Sequence, residues 1–90
     1  MEYEVQGILL MYVSLGSDFA VRDRTIVGIF DLDNTSISKH TRKFLEEAEQ
    51  RGEVIDVSGN LPKSYVITQE FGFQRVYLTQ YNASALEKRL

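Results

Sequence analysis

The chain has 90 residues, no cysteine, 43% apolar and 26% charged residues, and a net charge of −3. That length fits one domain with a modest core, for which association between copies is a common remedy. The composition argues against wholesale disorder, a disulfide framework and a thiolate metal site, and the negative charge confines any anion binding to local basic clusters.

Location and cofactors follow from the same reading. Absence of cysteine suits a reducing cytosol, no apolar run reaches membrane-spanning length, and "MEYEVQ" lacks the basic start of a secretory signal. The expectation is a cytoplasmic protein without membrane attachment. A single histidine plus carboxylates makes a poor zinc set, so no metal or cofactor is expected.

In chain order, "ILLMYVSL" at 8–15 predicts a first strand, with Gly16-Ser17-Asp18 as a turn. "FAVRDRTIVGIF" predicts two short strands broken near Asp23-Arg24, the second nearly all apolar. From Ile37 the period changes. Ile37, Thr41, Phe44, Leu45 and Ala48 fall on one face of a helix over about 37–51, with N-cap candidates in 34–38 and Gly52 placed as a C′ glycine.

"EVIDVS", "SYVIT" and "RVYLT" then read as three strands, separated by turns over 59–63 and 69–74. Asn82 can cap a short closing helix containing Leu86 and Leu90. The predicted fold is α+β: a small, largely antiparallel sheet, one main helix and a short C-terminal helix.

The stretch Asp31-Leu32-Asp33-Asn34-Thr35 after an apolar strand resembles the Asp-x-Asp-x-Thr opening of haloacid-dehalogenase phosphatases. That chemistry also needs a lysine and a further acidic group downstream. After Thr35 the only aspartate is Asp56, and Glu46, Glu47 and Glu49 lie mid-helix as a solvated face. The plainer role for Asp31 and Asp33 is to end a strand and help cap the helix. An EF-hand reading fails because its sixth position would be Ser36 and its twelfth Arg42. His40, the sole histidine, has no nucleophile partner in the sequence, so no catalytic residues are assigned and no enzyme is expected.

The basic residues are more informative. Arg22 and Arg24 flank Asp23, while Lys39, His40, Arg42 and Lys43 crowd the first half of the helix ahead of its glutamates. That order opposes the helix dipole at a few tenths of a kcal/mol per charge. A helix N-terminus carrying lysine and arginine is a ready phosphate site; ordinary solvated pairs such as Arg42–Glu46 and Lys43–Glu47 are the alternative. Phe71 and Phe73 flank Gly72 in a turn, where they either contact another surface or fold back on their own sheet.

Taken together, "MYVSLGSD", "VRDRTIVGIFDLD", "TRKFLEEAEQRGEVIDVS", "PKSYVIT" and "RVYLT" resemble the extracellular matrix regulatory family of RemA and RemB, and the RemB branch more. The resemblance covers 11–90 as a single domain and leaves 1–10 as an N-terminal extension outside the family match. It implies a cytoplasmic bacterial regulator of biofilm-matrix transcription, a LytTR-like fold, and protomers assembled into a ring that carries DNA. RemA-type chains contact DNA through basic residues after the first turn and an arginine-rich turn after the fourth strand. The nearest positions here are Arg22, Arg24 and Thr25, then 60–63, where only Lys63 keeps a positive charge. "FGFQ" looks like extra turn residues relative to the family.

Three functional readings follow. The first is a homo-oligomeric, double-stranded-DNA-binding regulator using Arg22, Arg24, Arg42, Lys43 and Lys63, with Phe71 and Phe73 at the oligomer interface. The second is a protein–protein interaction module or scaffold without DNA, with a RemA-like protein as a possible partner. The third, remote, is the phosphatase.

Overall fold

The computed structural model describes residues 12–16, 18–32 and 38–90. Strands β1 (Tyr12–Gly16) and β2 (Phe19–Arg22) form an antiparallel hairpin. A 3-10 turn at Asp23–Thr25 leads into β3 (Ile26–Asp31). The main helix α1 (Lys39–Gln50) then connects to β4 (Val54–Asp56), followed by β5 (Ser64–Glu70), β6 (Phe73–Thr79) and the short helix α2 (Ala83–Glu87).

Strands β3 to β6 make a four-stranded sheet in the order β3-β5-β6-β4. Pairs β3–β5 and β5–β6 are antiparallel, whereas β4–β6 is parallel. The parallel pair qualifies the expected antiparallel sheet, and α1 is its cause: a helical crossover returns the chain so that β4 runs in the direction of β3.

Both ends of α1 are built from sequence-local chemistry. Ser38 is the N-cap, its side chain accepting from the Thr41 N–H at 3.1 Å. At the far end, Gly52 adopts φ 74°. Its N–H bonds the Glu49 carbonyl while the Glu53 N–H reaches the Ala48 carbonyl at 2.9 Å, a complete Schellman stop. Helix α2 starts on Asn82, whose side chain accepts from the Ala85 N–H at 2.8 Å.

The sheet is covered on both faces, with period-two alternation sorting its side chains. Tyr65, Val76 and Leu78 face α1 and pack with Phe44, Leu45 and the fully buried Ala48. Val66 and Tyr77 face the other way, under Val13, Leu15 and Val21 of the hairpin and Leu86 of α2. Each large side chain so buried contributes about 1.5–3 kcal/mol. Gly28 permits one close approach, because a Cβ there would lie 2.6 Å from the Phe30 ring. Phe30 is stacked on Tyr65 at 5.0 Å.

Two expectations change. Strand β1 is described from Tyr12, and the predicted residues 8–11, like the extension 1–10, lie outside the described residues. The turn expected over 69–74 shrinks to Phe71 and Gly72, because β5 runs to Glu70 and β6 starts at Phe73. Phe73 and Gln74 are therefore strand residues rather than extra turn residues.

Candidate nucleic-acid interface

The turn after β2 positions the first two basic candidates. Thr25 is buried and its hydroxyl donates to the Arg22 carbonyl at 2.7 Å, fixing the 3-10 turn from inside. Arg24 points into solvent at the apex. Arg22 is only partly exposed and lies 3.7 Å from Glu70 across the groove beside β5. Between them, Asp23 Oδ1 is buried without a hydrogen-bond partner among the described residues.

Lys63 stands at the other end of the sheet. Its N–H donates to the Thr79 carbonyl at 2.8 Å and its carbonyl accepts from Leu32 at 2.7 Å, leaving the side chain exposed. The preceding loop is ordered by Ser58, buried, whose hydroxyl donates to Asp56 at 2.6 Å while its N–H donates to the same carboxylate at 2.9 Å. These two bonds, hydroxyl first, hold the Asp56 carboxyl below its ordinary range. Leu61 in that loop is 81% exposed.

Arg42 and Lys43 are exposed on α1. The C-terminal end of α1 is tied to the start of β6: the Val76 N–H donates to the Glu53 carbonyl at 2.9 Å, and Gln74 Nε2 donates to Glu53 at 3.0 Å. The N-terminal half of the helix therefore points toward the Ser64–Thr79 end, the end of Lys63. Glu53 is also paired with Arg51 at 3.2 Å, which draws its carboxyl below the ordinary range and raises the guanidinium of Arg51.

The five basic candidates thus fall into two sets. Arg22 and Arg24 share one turn at the Glu70 end. Lys63, Arg42 and Lys43 lie toward the opposite end, roughly 20 Å away along a seven-residue strand. They do not form one continuous patch on a single chain.

Phe71 and Phe73 project from the β5–β6 tip, 85% and 64% exposed. Folding back on the sheet, the alternative left open by the sequence, is not what they do. Phe71 has φ 54° and Gly72 φ 81°, so both turn residues are left-handed. For a bulky side chain that conformation costs roughly 1–2 kcal/mol.

Sequence reasoning missed the groove beside this tip, which is bordered by Tyr12, Arg22, Thr68, Phe71, Arg75 and Tyr77 among others. Its signal was the period-two spacing of Thr68 and Glu70 on one strand and of Phe73, Arg75 and Tyr77 on the next, which sets each group on one face. Asp31 ends β3 opposite Ser64, whereas Asp33 lies outside the described residues. Among the described residues no group of acidic and histidine side chains is arranged to hold a metal ion, and no helix is long and apolar enough to cross a membrane.

Comparison with known proteins places these features in a lineage. Residues 12–90 match the model of the RemA-like family, described as extracellular matrix regulatory protein A-like. Extracellular matrix regulatory protein B of Bacillus subtilis (strain 168) is 38% identical over 79 residues, covering 88% of this chain and 89% of that protein. The match takes in the 3-10 turn with its arginines, α1 and the β5–β6 hairpin, so the chain belongs to the RemA-like family of extracellular matrix regulatory proteins.

Proposed function

We propose that this protein is a cytoplasmic, homo-oligomeric transcriptional regulator of biofilm-matrix genes, with a LytTR-like fold, that binds duplex DNA through phosphate contacts and is not an enzyme. The observation that carries the reading is Arg24, held outward at the apex of a turn whose backbone is locked by the buried Thr25 hydroxyl. A guanidinium on a rigid turn loses little freedom on meeting a phosphate, and it is supported here by Arg22.

Assembly matters because the charges are divided. A net charge of −3 opposes DNA, and the five candidate residues of one chain fall into two small sets at opposite ends. Repetition of the Arg22–Arg24 turn around a multimer multiplies weak contacts through effective concentration. DNA shape then governs preference more than base edges do.

The test is a duplex-binding titration across salt concentrations. Affinity should fall steeply with salt, and Arg22→Ala/Arg24→Ala should weaken it and flatten the salt dependence. Absence of any shifted duplex at about 50 mM salt, where phosphate contacts remain strong, refutes the reading.

The second reading, an interaction module without DNA, is favoured by Phe71 and Phe73. Two exposed rings on a strained tip suit contact with another copy or with a RemA-like partner. Pull-down of such a partner after nuclease treatment, together with failure of the duplex titration, selects this reading over the first.

A further inference from the structure

On the hairpin side of the sheet, β2 and the β5–β6 tip border a groove in two adjoining compartments of about 370 and 260 Å³. Thr68, Glu70, Phe71 and Tyr77 border both. Such volumes are of the order that small-molecule sites occupy, and such sites combine apolar walls with a few converging polar groups. We infer that this groove binds a small ligand with a flat aromatic body and one anionic group, a carboxylate or a phosphate.

Aromatic walls come first. Phe19 and Tyr77 lie 5.0 Å apart beneath the groove, and Tyr12, Phe71 and Phe73 stand around its rim. Phe71 keeps its ring there in a left-handed backbone conformation and 85% exposed. Asparagine or glycine would satisfy the turn without strain or exposed apolar surface, so the position serves the ring rather than the turn.

The polar groups converge on one strand pair. Thr68 is the register partner of Arg75, which brings their Cβ atoms to about 5 Å. Thr68 is 4% exposed as a residue and borders both compartments. A hydroxyl on the wall of both compartments is suited to a ligand oxygen.

Arg75 supplies the charge. Its guanidinium lies 5.6 Å from the Phe73 ring centroid and donates to the Gln74 carbonyl at 3.2 Å, with no carboxylate within salt-bridge distance among the described residues. Glu53, whose carboxyl it influences, is already engaged by Arg51 and Gln74. Glu70, the carboxylate lining the groove, is paired with Arg22. A single anion at Arg75 is therefore neutralised, whereas a phosphate chain laid along the groove would meet Glu70.

The inference does not require DNA binding, although Arg22 borders the groove as well as the 3-10 turn. It is tested by fluorescence titration of the full chain with 1-anilinonaphthalene-8-sulfonate, whose sulfonate stands in for the carboxylate or phosphate, beside its uncharged analogue N-phenyl-1-naphthylamine. One sulfonate probe should bind per chain. Arg75→Gln should weaken it about tenfold or more, the usual worth of a charged hydrogen bond, and leave the uncharged probe within about twofold. Thr68→Val, of similar shape, should weaken it in the same direction with the fold intact by circular dichroism. Lys88→Gln, an exposed change at the end of α2, should change neither probe. Phenyl phosphate should displace the sulfonate probe where inorganic phosphate does not. No saturable binding, equal loss of both probes with Arg75→Gln, or displacement by duplex DNA in place of phenyl phosphate each overturns the inference.

Discussion

Thr79 and Leu15, 64 residues apart in sequence, are joined by a buried hydrogen bond: the Thr79 hydroxyl donates to the Leu15 carbonyl at 2.7 Å. Both residues are fully buried, and the same hydroxyl accepts from the Tyr81 N–H at 3.1 Å. One side chain therefore ties the β1–β2 hairpin to the end of β6 and to the entry of α2. Thr79→Val keeps the shape but strands both backbone groups. Loss of about 1–3 kcal/mol is expected, measured by urea unfolding. A change below about 0.5 kcal/mol, the range of ordinary surface substitutions, would show that the hairpin docks through apolar packing alone.

The tip turn should respond in the opposite direction. Phe71→Asn places a residue that tolerates left-handed backbone where the turn requires it, so folding stability should rise by about 1 kcal/mol. Self-association, followed by light scattering, should weaken at the same time if the exposed ring meets another copy. A variant that is no more stable would mean that Phe71 packs on the sheet in solution.

Acid sensitivity should be traceable to the β4–β5 loop. Asp56 has its folded-state pKa lowered by the Ser58 hydroxyl and N–H, so the unfolded chain binds the proton more readily. Its stabilising contribution is present above the unfolded-state pKa and is lost as pH falls through the lower folded-state value. Ser58→Ala should reduce stability at neutral pH and flatten the loss between about pH 5 and pH 2. Urea midpoints across that range provide the measurement, and parallel curves for the two proteins would remove Asp56 from the account.

The two basic sets should contribute separately to duplex binding. Releasing one DNA phosphate from a basic side chain lowers the slope of log affinity against log salt by about 0.9. Arg22→Ala/Arg24→Ala should therefore reduce the slope by roughly one to two, as should Arg42→Ala/Lys43→Ala if α1 also meets DNA. A normal slope in the second variant would confine the DNA to the 3-10 turn. Equal slopes in both variants and the parent would mean that none of these side chains meets a phosphate.

What the sequence determined by itself is what local chemistry governs. The helix period from Phe44 to Ala48, the Ser38 and Asn82 caps and the Gly52 stop each involve residues within about one helical turn. Helix α1 was therefore legible within two residues at either end and α2 at its start, whereas α2 stops at Glu87, short of the expected Leu90. Strands β4 to β6 were visible from Val, Ile and Tyr content, but their partners were not. Parallel pairing of β4 with β6, and the docking of β1 and β2 as a separate hairpin, rest on contacts spanning tens of residues, such as Thr79 to Leu15.

The candidate sites divide along the same line. Arg22, Arg24, Arg42, Lys43 and Lys63 could be named from charge, but only the sheet register separates them into two ends. Phe71 and Phe73 were conspicuous as residues, whereas the groove they border needed Thr68 opposite Arg75. Composition and short-range periodicity state which groups exist; strand pairing, settled by burial on both faces of the sheet at once, decides which of them meet.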